Sequence, residues 1–255
     1  MPRKARKEIN SKFLHVMIQG INREYIFNND KDIKVFLKFV KEKIKEFDLS
    51  IIAYCVMNNH AHFLIYTENI NLVSKLMKMV NTSYAIYYNK NKERCGYVFR
   101  DRFKSEEILS QKHLVSCIHY IHNNPVKAKM CLSQSEYKYS SYNEYKNKPY
   151  LINKNKVMEI LRKYNINIEM FLDETTEKYK FIDDMDPQNK KIIKISVLEE
   201  FCKEKNIGNM NELRSDKSNL KEIAIIMNKD YNFTQKEIAE VIGISRLKIH
   251  RIIHS

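Results

Sequence analysis

The chain has 255 residues and a formal net charge of +14. This length allows one or two domains with a sizeable core. The five cysteines are an odd number without a Cys-x-x-Cys spacing, which argues against a disulfide framework and against a zinc knuckle. The sequence shows neither a signal peptide nor an apolar run of membrane-spanning length, so we expect a cytoplasmic protein without a membrane partner.

The positive charge is concentrated in the first part of the chain. Residues 1–150 carry 26 Lys and Arg against 14 Asp and Glu, whereas residues 151–255 carry 19 against 17. A basic half favours a polyanionic partner, most simply a nucleic acid, and we expect the basic stretch 2–7 to be an arm that contacts phosphates. A lysine-rich surface without a specific partner is the alternative explanation of the charge.

The hydrophobic periodicity predicts an α+β fold for this part. Apolar, β-branched runs predict strands, and apolar residues spaced three and four apart predict amphipathic helices. In chain order we expect a strand over 13–19, a helix over 29–47, strands over 49–57 and 60–66, a helix over 72–88, a strand over 97–103, and a helix over 111–123 that Pro125 stops. The order βαββαβ plus a helix predicts a small antiparallel sheet with helices packed on it.

The C-terminal part follows a different pattern. The charged stretch 183–187 is typical of a linker, and a helix is predicted over 219–227. Thr234 and Glu237 match a capping box for a helix over 235–242, which Gly243 ends. Ser245 then caps a last helix over 246–253 that carries four basic side chains: Arg246, Lys248, His250 and Arg251. This pattern favours a helix-turn-helix DNA-binding domain over an ordinary α-hairpin.

His60 and His62 stand two positions apart in the run that predicts the third strand. Residues at i and i+2 of a strand point to the same face, so the two imidazoles should lie side by side. Such a pair can bind a divalent metal if a third ligand is near. Two structural histidines on a half-buried strand are the alternative.

Tyr120 and Asn124 are four residues apart and share one face of a helix. An amide oxygen suits Mg²⁺ or Mn²⁺, and a nearby cation favours the phenolate of a tyrosine. Together with the two histidines, these residues suit attack on a phosphodiester, with a 5′-phosphotyrosine and a free 3′-OH as products. The alternative is that Tyr120, one of 16 tyrosines, only packs in the core.

Three separate stretches of the sequence resemble one known family. Residues 55–64, 96–105 and 120–128 are similar to the motifs of the HUH single-tyrosine transposases, and above all to those of the REP-associated tyrosine transposases. A trailing motif of that group resembles Ser140-Ser141-Tyr142-x-x-Tyr145. The resemblance covers about residues 10–146.

This resemblance implies a ferredoxin-like (RRM-like) antiparallel sheet with helices. It implies that His60, His62 and Asn124 are ligands of Mg²⁺ or Mn²⁺ and that Tyr120 is the catalytic nucleophile. The implied function is a DNA transposase that cleaves and rejoins single-stranded DNA at hairpin-flanked sites, as a monomer or a homodimer.

We therefore expect three parts: a transposase domain over 1–148, a helical linker region over 149–205, and a helix-turn-helix domain over 206–255. The last part resembles the C-terminal DNA-binding domain of the bacterial replication initiator DnaA and could bind duplex DNA. Residues expected to contact DNA are Arg100, Arg102, Lys104 and Lys127 in the first domain and Arg246, Lys248 and Arg251 in the last.

Two other functions fit the same residues. A rolling-circle replication initiator would use the same metal and tyrosine chemistry, and binding of a duplex origin would favour it. A non-catalytic DNA-binding regulator could retain the fold. The intact set of His60, His62, Tyr120 and Asn124 argues against such a regulator.

Overall fold

The computed structural model describes residues 11–172, 187–231 and 233–254. The chain falls into two compact units, residues 1–176 and 177–255. The expected basic arm at 2–7 and residues 183–186 of the expected linker lie outside the described residues. Within the described part of the chain, no helix is long and apolar enough to cross a membrane.

A four-stranded antiparallel sheet forms the centre of the first unit, with the spatial order β2-β3-β1-β4. Its strands are β1 (Phe13–Gln19), β2 (Ser50–Val56), β3 (His60–Tyr66) and β4 (Lys104–Glu107). The helical crossovers that follow β1 and β3 each skip one strand position, so these two strands occupy the middle of the sheet. The predicted ferredoxin-like arrangement is confirmed.

The prediction of a fourth strand over 97–103 is wrong. That segment is irregular, forms one isolated bridge between Phe99 and Gly20, and exposes Arg100 and Arg102 to solvent. The fourth strand, β4, begins at Lys104, directly after this segment, and consists of three charged residues and one serine. An edge strand needs no apolar run, because its outer edge has no neighbouring strand and meets solvent. Charged side chains at this edge oppose pairing with another chain.

Helices cover both faces of the sheet: α1 (Asp30–Lys43) and α2 (Ile70–Asn91) on one face, α3 (Gln111–Lys127) on the other. Phe36 of α1 packs against Phe63 of β3, with 6.1 Å between the ring centroids. Neighbouring residues of a strand point to opposite faces, so His62 lies on the side that α3 covers.

α3 continues through Pro125 to Lys127, whereas the sequence predicts an end at residue 123. Pro125 lacks the amide that would bond to the carbonyl of Ile121, but its side chain is buried, so packing holds it within the helix. The amide of Ala128 donates to the carbonyl of Asn124 at 3.0 Å and closes the helix. Asn124 therefore lies in regular helix, one turn after Tyr120.

The chain after α3 packs back against the edge strand β2. Up to residue 172 it forms three short α-helices: α4 (Tyr142–Lys146), α5 (Lys154–Lys163) and α6 (Glu169–Leu172). The buried Glu144 carboxylate accepts hydrogen bonds from the Tyr54 hydroxyl and, at 2.9 Å each, from the amides of residues 150–152. The region 149–205, predicted as a linker, is thus divided between the two compact units.

The second unit is helical and contains α7 (Pro187–Glu204), α8 (Met210–Ser215), α9 (Lys217–Lys229), α10 (Gln235–Ile242) and α11 (Arg246–His254). Thr234 and Glu237 form the predicted capping box. Gly243 ends α10 with φ +76°, and a Cβ there would lie 2.3 Å from the guanidinium of Arg214. Arg214 Nε also donates to the carbonyl of Ile242 at 2.8 Å, so this turn requires glycine.

Candidate active site and nucleic-acid interface

His60 and His62 lie side by side on the face of β3 that α3 covers. Their ring centroids are 4.9 Å apart and the rings are perpendicular. His62 is fully buried, whereas His60 is partly exposed and its Nδ1 lies 2.5 Å from Oδ1 of Asn59. The alternation of side chains along β3 thus places both imidazoles on one face, as predicted. Of the two, His62 is the inner imidazole and His60 the outer one.

α3 places Tyr120 against the inner histidine. The centroid of the phenol ring lies 5.5 Å from that of His62 and 5.9 Å from that of His15 on β1, in edge-to-face contacts. The Tyr120 side chain is only 5% exposed. The sheet and α3 therefore bring the predicted nucleophile and a predicted metal ligand into direct contact.

Asn124 and Lys127 follow Tyr120 along α3. Lys127 Nζ lies 5.4 Å from the centroid of the Tyr120 ring and keeps a positive charge beside it. Nδ2 of Asn124 and Nε2 of His62 are buried and have no hydrogen-bond partner among the described residues. Such unpaired polar atoms are expected where a ligand binds, and rotation of the Asn124 amide would present its oxygen instead.

Burial lowers the pKa of His62 well below its usual value of 6.5, and the neighbouring His60 and His15 lower it further. His62 is therefore neutral at pH 7. A neutral imidazole has the free lone pair that a metal ligand needs.

These donors fit a divalent metal ion. Within the described ranges, no cluster of three or more His, Cys, Asp and Glu is placed to hold a metal. An ion at this site would therefore need an amide ligand in addition to imidazoles. His60, His62 and Asn124 provide two imidazole nitrogens and one amide oxygen, and Mg²⁺ or Mn²⁺ would keep further positions for water and phosphate oxygens.

The irregular segment before β4 lies next to the same site. The amide of Arg100 donates to the carbonyl of Gln19 at 2.9 Å, and Gln19 is paired with His60 across the sheet. Arg100 and Arg102 are exposed, and Lys104 is half-buried on the same sheet face as His60. Lys104 thus shares the sheet face of the histidine pair, and the two exposed arginines of the preceding segment are accessible to a phosphate backbone.

The comparison with protein families identifies this part of the chain. Residues 9–124 match the family described as "Transposase IS200 like". The chain carries an IS200-like transposase domain. The match includes the whole sheet and ends at Asn124, so that His60, His62 and Tyr120 all lie within the transposase domain. The family resemblance inferred from the sequence motifs is confirmed.

A similar solved structure is that of a REP-associated tyrosine transposase bound to a REP hairpin. The two proteins share 15% sequence identity, and the TM-score is 0.47. The aligned part covers 57% of this chain and 85% of that chain. A comparison with curated proteins found no significant match.

His15 belongs to the site of the transposase domain, although sequence reasoning missed it. Its Nε2 lies 3.0 Å from Nδ1 of His62. A single histidine in a strand gives no local signal, because its neighbours depend on which strands pair. His122, by contrast, lies in one of the transposase motifs but hydrogen-bonds to Ser141 Oγ at 2.8 Å and is fully buried, which makes it a structural residue.

A cavity of about 970 Å³ opens elsewhere in the first unit, beside α1 and α4. It is lined mainly by lysines and tyrosines, including Lys31, Lys34, Lys38, Lys138, Tyr54 and Tyr139. None of the predicted site residues lines it. The candidate active site of the transposase domain is therefore the sheet face beneath α3 and not this cavity.

The second unit lies outside the transposase domain and carries the remaining predicted DNA contacts. Arg246, Lys248 and Arg251 are exposed on α11, whereas Ile249 is buried in the helical core. The basic side chains are thus on the part of the helix that faces away from this core, where they are accessible to a nucleic acid.

Proposed function

We propose that this protein is a metal-dependent transposase that cleaves and rejoins single-stranded DNA at hairpin-flanked sites through a 5′-phosphotyrosine intermediate. The observation that carries this proposal is the buried contact between Tyr120 and His62, with Asn124 one helical turn further along α3. The family match supports transposition as the activity. The hairpin substrate follows from the resemblance of the motifs to those of REP-associated transposases.

In the proposed cleavage step, Oη of Tyr120 loses its proton and attacks the phosphorus of the scissile phosphodiester. The bond from phosphorus to the 3′-oxygen breaks, and this oxygen takes up a proton and leaves as a 3′-OH. Tyr120 then carries the 5′-phosphate. In the rejoining step a 3′-OH attacks this phosphate and restores the phenol, so the bond energy is conserved and no nucleotide cofactor is needed.

The residues around Tyr120 have distinct proposed roles. His60, His62 and Asn124 would hold Mg²⁺ or Mn²⁺, which when bound would stabilise charge on the phosphate and favour the phenolate. Lys127 adds a second positive charge beside the phenol ring. The packing of the ring against the sheet fixes its direction of attack.

The exposed basic residues would provide affinity for DNA. In the transposase domain we assign phosphate contacts to Arg100, Arg102, Lys104 and Lys127. For the second unit we propose binding of duplex DNA near the cut through Arg246, Lys248 and Arg251 on α11. Affinity based on such contacts should fall as salt is added.

The proposal can be tested with hairpin oligonucleotides built from inverted repeats that flank the gene. A 3′-labelled strand should become covalently attached to the protein, and a 5′-labelled strand should be shortened to a product with a free 3′-OH. Addition of a second cleaved end should give a joined strand. Cleavage without joining would favour a rolling-circle replication initiator, and binding without cleavage in Mg²⁺ or Mn²⁺ would indicate a regulator.

A further inference from the structure

We propose that His15 is a positioning residue that holds His62 in the orientation and tautomer required to bind the metal. This inference rests on the metal site of the proposed function. His15 lies on β1 and His62 on the neighbouring strand β3, with 3.0 Å between Nε2 of His15 and Nδ1 of His62. Both side chains are buried, with exposures of 3% and 0%.

The register of the sheet creates this pair. Met17 is directly opposite His62, and His15 is opposite Leu64, so the two histidines are diagonal neighbours on one face. Their rings are nearly parallel, at 5°, with centroids 5.1 Å apart. Tyr120 contacts both rings edge-on. The sheet, the partner ring and the phenol therefore restrict the rotation of His62.

The hydrogen bond between the two imidazoles decides which nitrogen of His62 is free. Of the two bonded nitrogens, Nε2 of His15 and Nδ1 of His62, one must donate and the other must accept. If His62 donates from Nδ1, its Nε2 has the lone pair that a metal needs. If His15 donates, Nε2 of His62 carries a proton that is buried without a partner among the described residues. Nε2 of His62 has no protein partner in either arrangement, but only the first lets a metal ion bind to it, so a metal site requires His15 as the acceptor.

Glu106 supports the same arrangement from the other side of His15. It lies directly opposite His15 on β4, on the same face of the sheet, and is half-buried. A carboxylate next to a neutral imidazole favours a proton on the nearer nitrogen and leaves the other nitrogen as an acceptor. Ligating histidines usually donate their second N–H to a carboxylate, a carbonyl or a water. Here the imidazole of His15 takes that place.

The first test measures the tautomers directly in the metal-free full chain. Two-bond ¹⁵N–¹H correlation spectra of histidine-labelled protein should show His62 protonated at Nδ1 and unprotonated at Nε2. His15 should likewise be unprotonated at Nε2. The His62→Ala and His15→Gln variants assign the signals. A proton on Nε2 of His62 would overturn the proposal.

The second test measures Mn²⁺ affinity by electron paramagnetic resonance. His15→Leu removes the acceptor and should weaken Mn²⁺ binding by about 10- to 100-fold. His15→Gln places an amide oxygen near the position of Nε2 and should restore most of the affinity. The matched control is His119→Leu. His119 is another buried histidine of the domain, and its Nε2 hydrogen-bonds to the Met170 carbonyl. This variant should leave Mn²⁺ affinity unchanged.

The outcomes separate this inference from the proposed function. Unchanged Mn²⁺ affinity in a folded His15→Leu variant would overturn the role of His15 and leave the metal site intact. No Mn²⁺ binding by the wild type, or no effect of His62→Ala, would overturn the metal site and this inference together. If His15→Leu does not fold, the tautomer of His62 in the wild type decides.

Discussion

Tyr120 meets His62 edge-on, with 5.5 Å between the centroids of the phenol and imidazole rings. This contact links α3 to the central strand β3 and gives the phenol a fixed place next to a neutral imidazole. Because both side chains are buried, the contact should persist when DNA is absent. Cleavage by Tyr120 should depend on this preformed arrangement.

Tyr120→Phe should abolish the covalent DNA adduct and leave hairpin affinity nearly unchanged. The substitution removes one oxygen and keeps the ring, so packing should change little. The matched control is Tyr87→Phe on α2, whose hydroxyl donates to Asp32 at 3.0 Å, and this variant should still cleave. Mass spectrometry of the adduct locates the phosphate, and a phosphate on any other tyrosine would contradict the assignment.

Cleavage should require a divalent metal and should be lost with chelator. His62→Ala removes one of the proposed ligands and should weaken metal affinity by roughly 100-fold or more, since even residues behind a ligand account for 10- to 100-fold. Cleavage should fall in parallel. His250→Ala on α11 is the control and should alter neither quantity. Undiminished cleavage in excess chelator would show that the reaction does not depend on a metal.

The first unit should lose stability below pH 6.5. Burial lowers the pKa of His113 to about 4 and that of His122 to about 3, and it lowers the pKa of His62 as well. The unfolded chain takes up these protons at its ordinary histidine pKa of about 6.5, so stability is complete above that pH and falls as the pH drops toward the folded values. Between pH 7 and pH 5, His113 and His122 should each account for roughly 2 kcal/mol.

Urea unfolding of the full chain at pH 7 and pH 5 measures this effect. His122→Gln removes one of the titrating groups and should reduce the difference between the two pH values. A free energy of unfolding that is equal at pH 5 and pH 7 would contradict the prediction.

A fragment of residues 1–176 should fold and cleave without the second unit. A fragment of residues 1–149 should be less stable, because it loses the three amides that donate to the Glu144 carboxylate, and hydrogen bonds to a charged group are worth about 1.5–3 kcal/mol each. Thermal unfolding and adduct formation compare the two fragments. If fragment 1–176 is folded but inert, the second unit is part of the catalytic assembly.

Arg251→Glu on α11 should weaken binding of duplex DNA and leave the cleavage of a hairpin oligonucleotide unchanged. Each lost phosphate contact should reduce the slope of log affinity against log salt by about 1. The matched control is Lys221→Glu, the reversal of an exposed charge on α9. An equal loss of affinity in both variants would indicate a general charge effect and not a binding surface on α11.

Periodicity along the chain was sufficient to predict the local features of the site. The alternation of a strand places His60 and His62 on one face, and the turn of a helix places Asn124 after Tyr120. The capping box at Thr234 and the glycine turn at Gly243 were predictable for the same reason. Each of these features depends on the conformation of a few consecutive residues, which the local sequence largely determines.

Only the tertiary structure decided which segments meet. The pairing of β1 with β3 brings His15 to His62, although no local pattern marks His15. The pairing of β1 with β4 places Lys104, which the sequence predicted only as a DNA contact, on the same face of the sheet. The same pairing gives a charged segment the place of the fourth strand, and helix packing keeps Pro125 within α3. These outcomes depend on strand register and on burial summed over the whole sheet. Both result from contacts between residues that are far apart in the sequence.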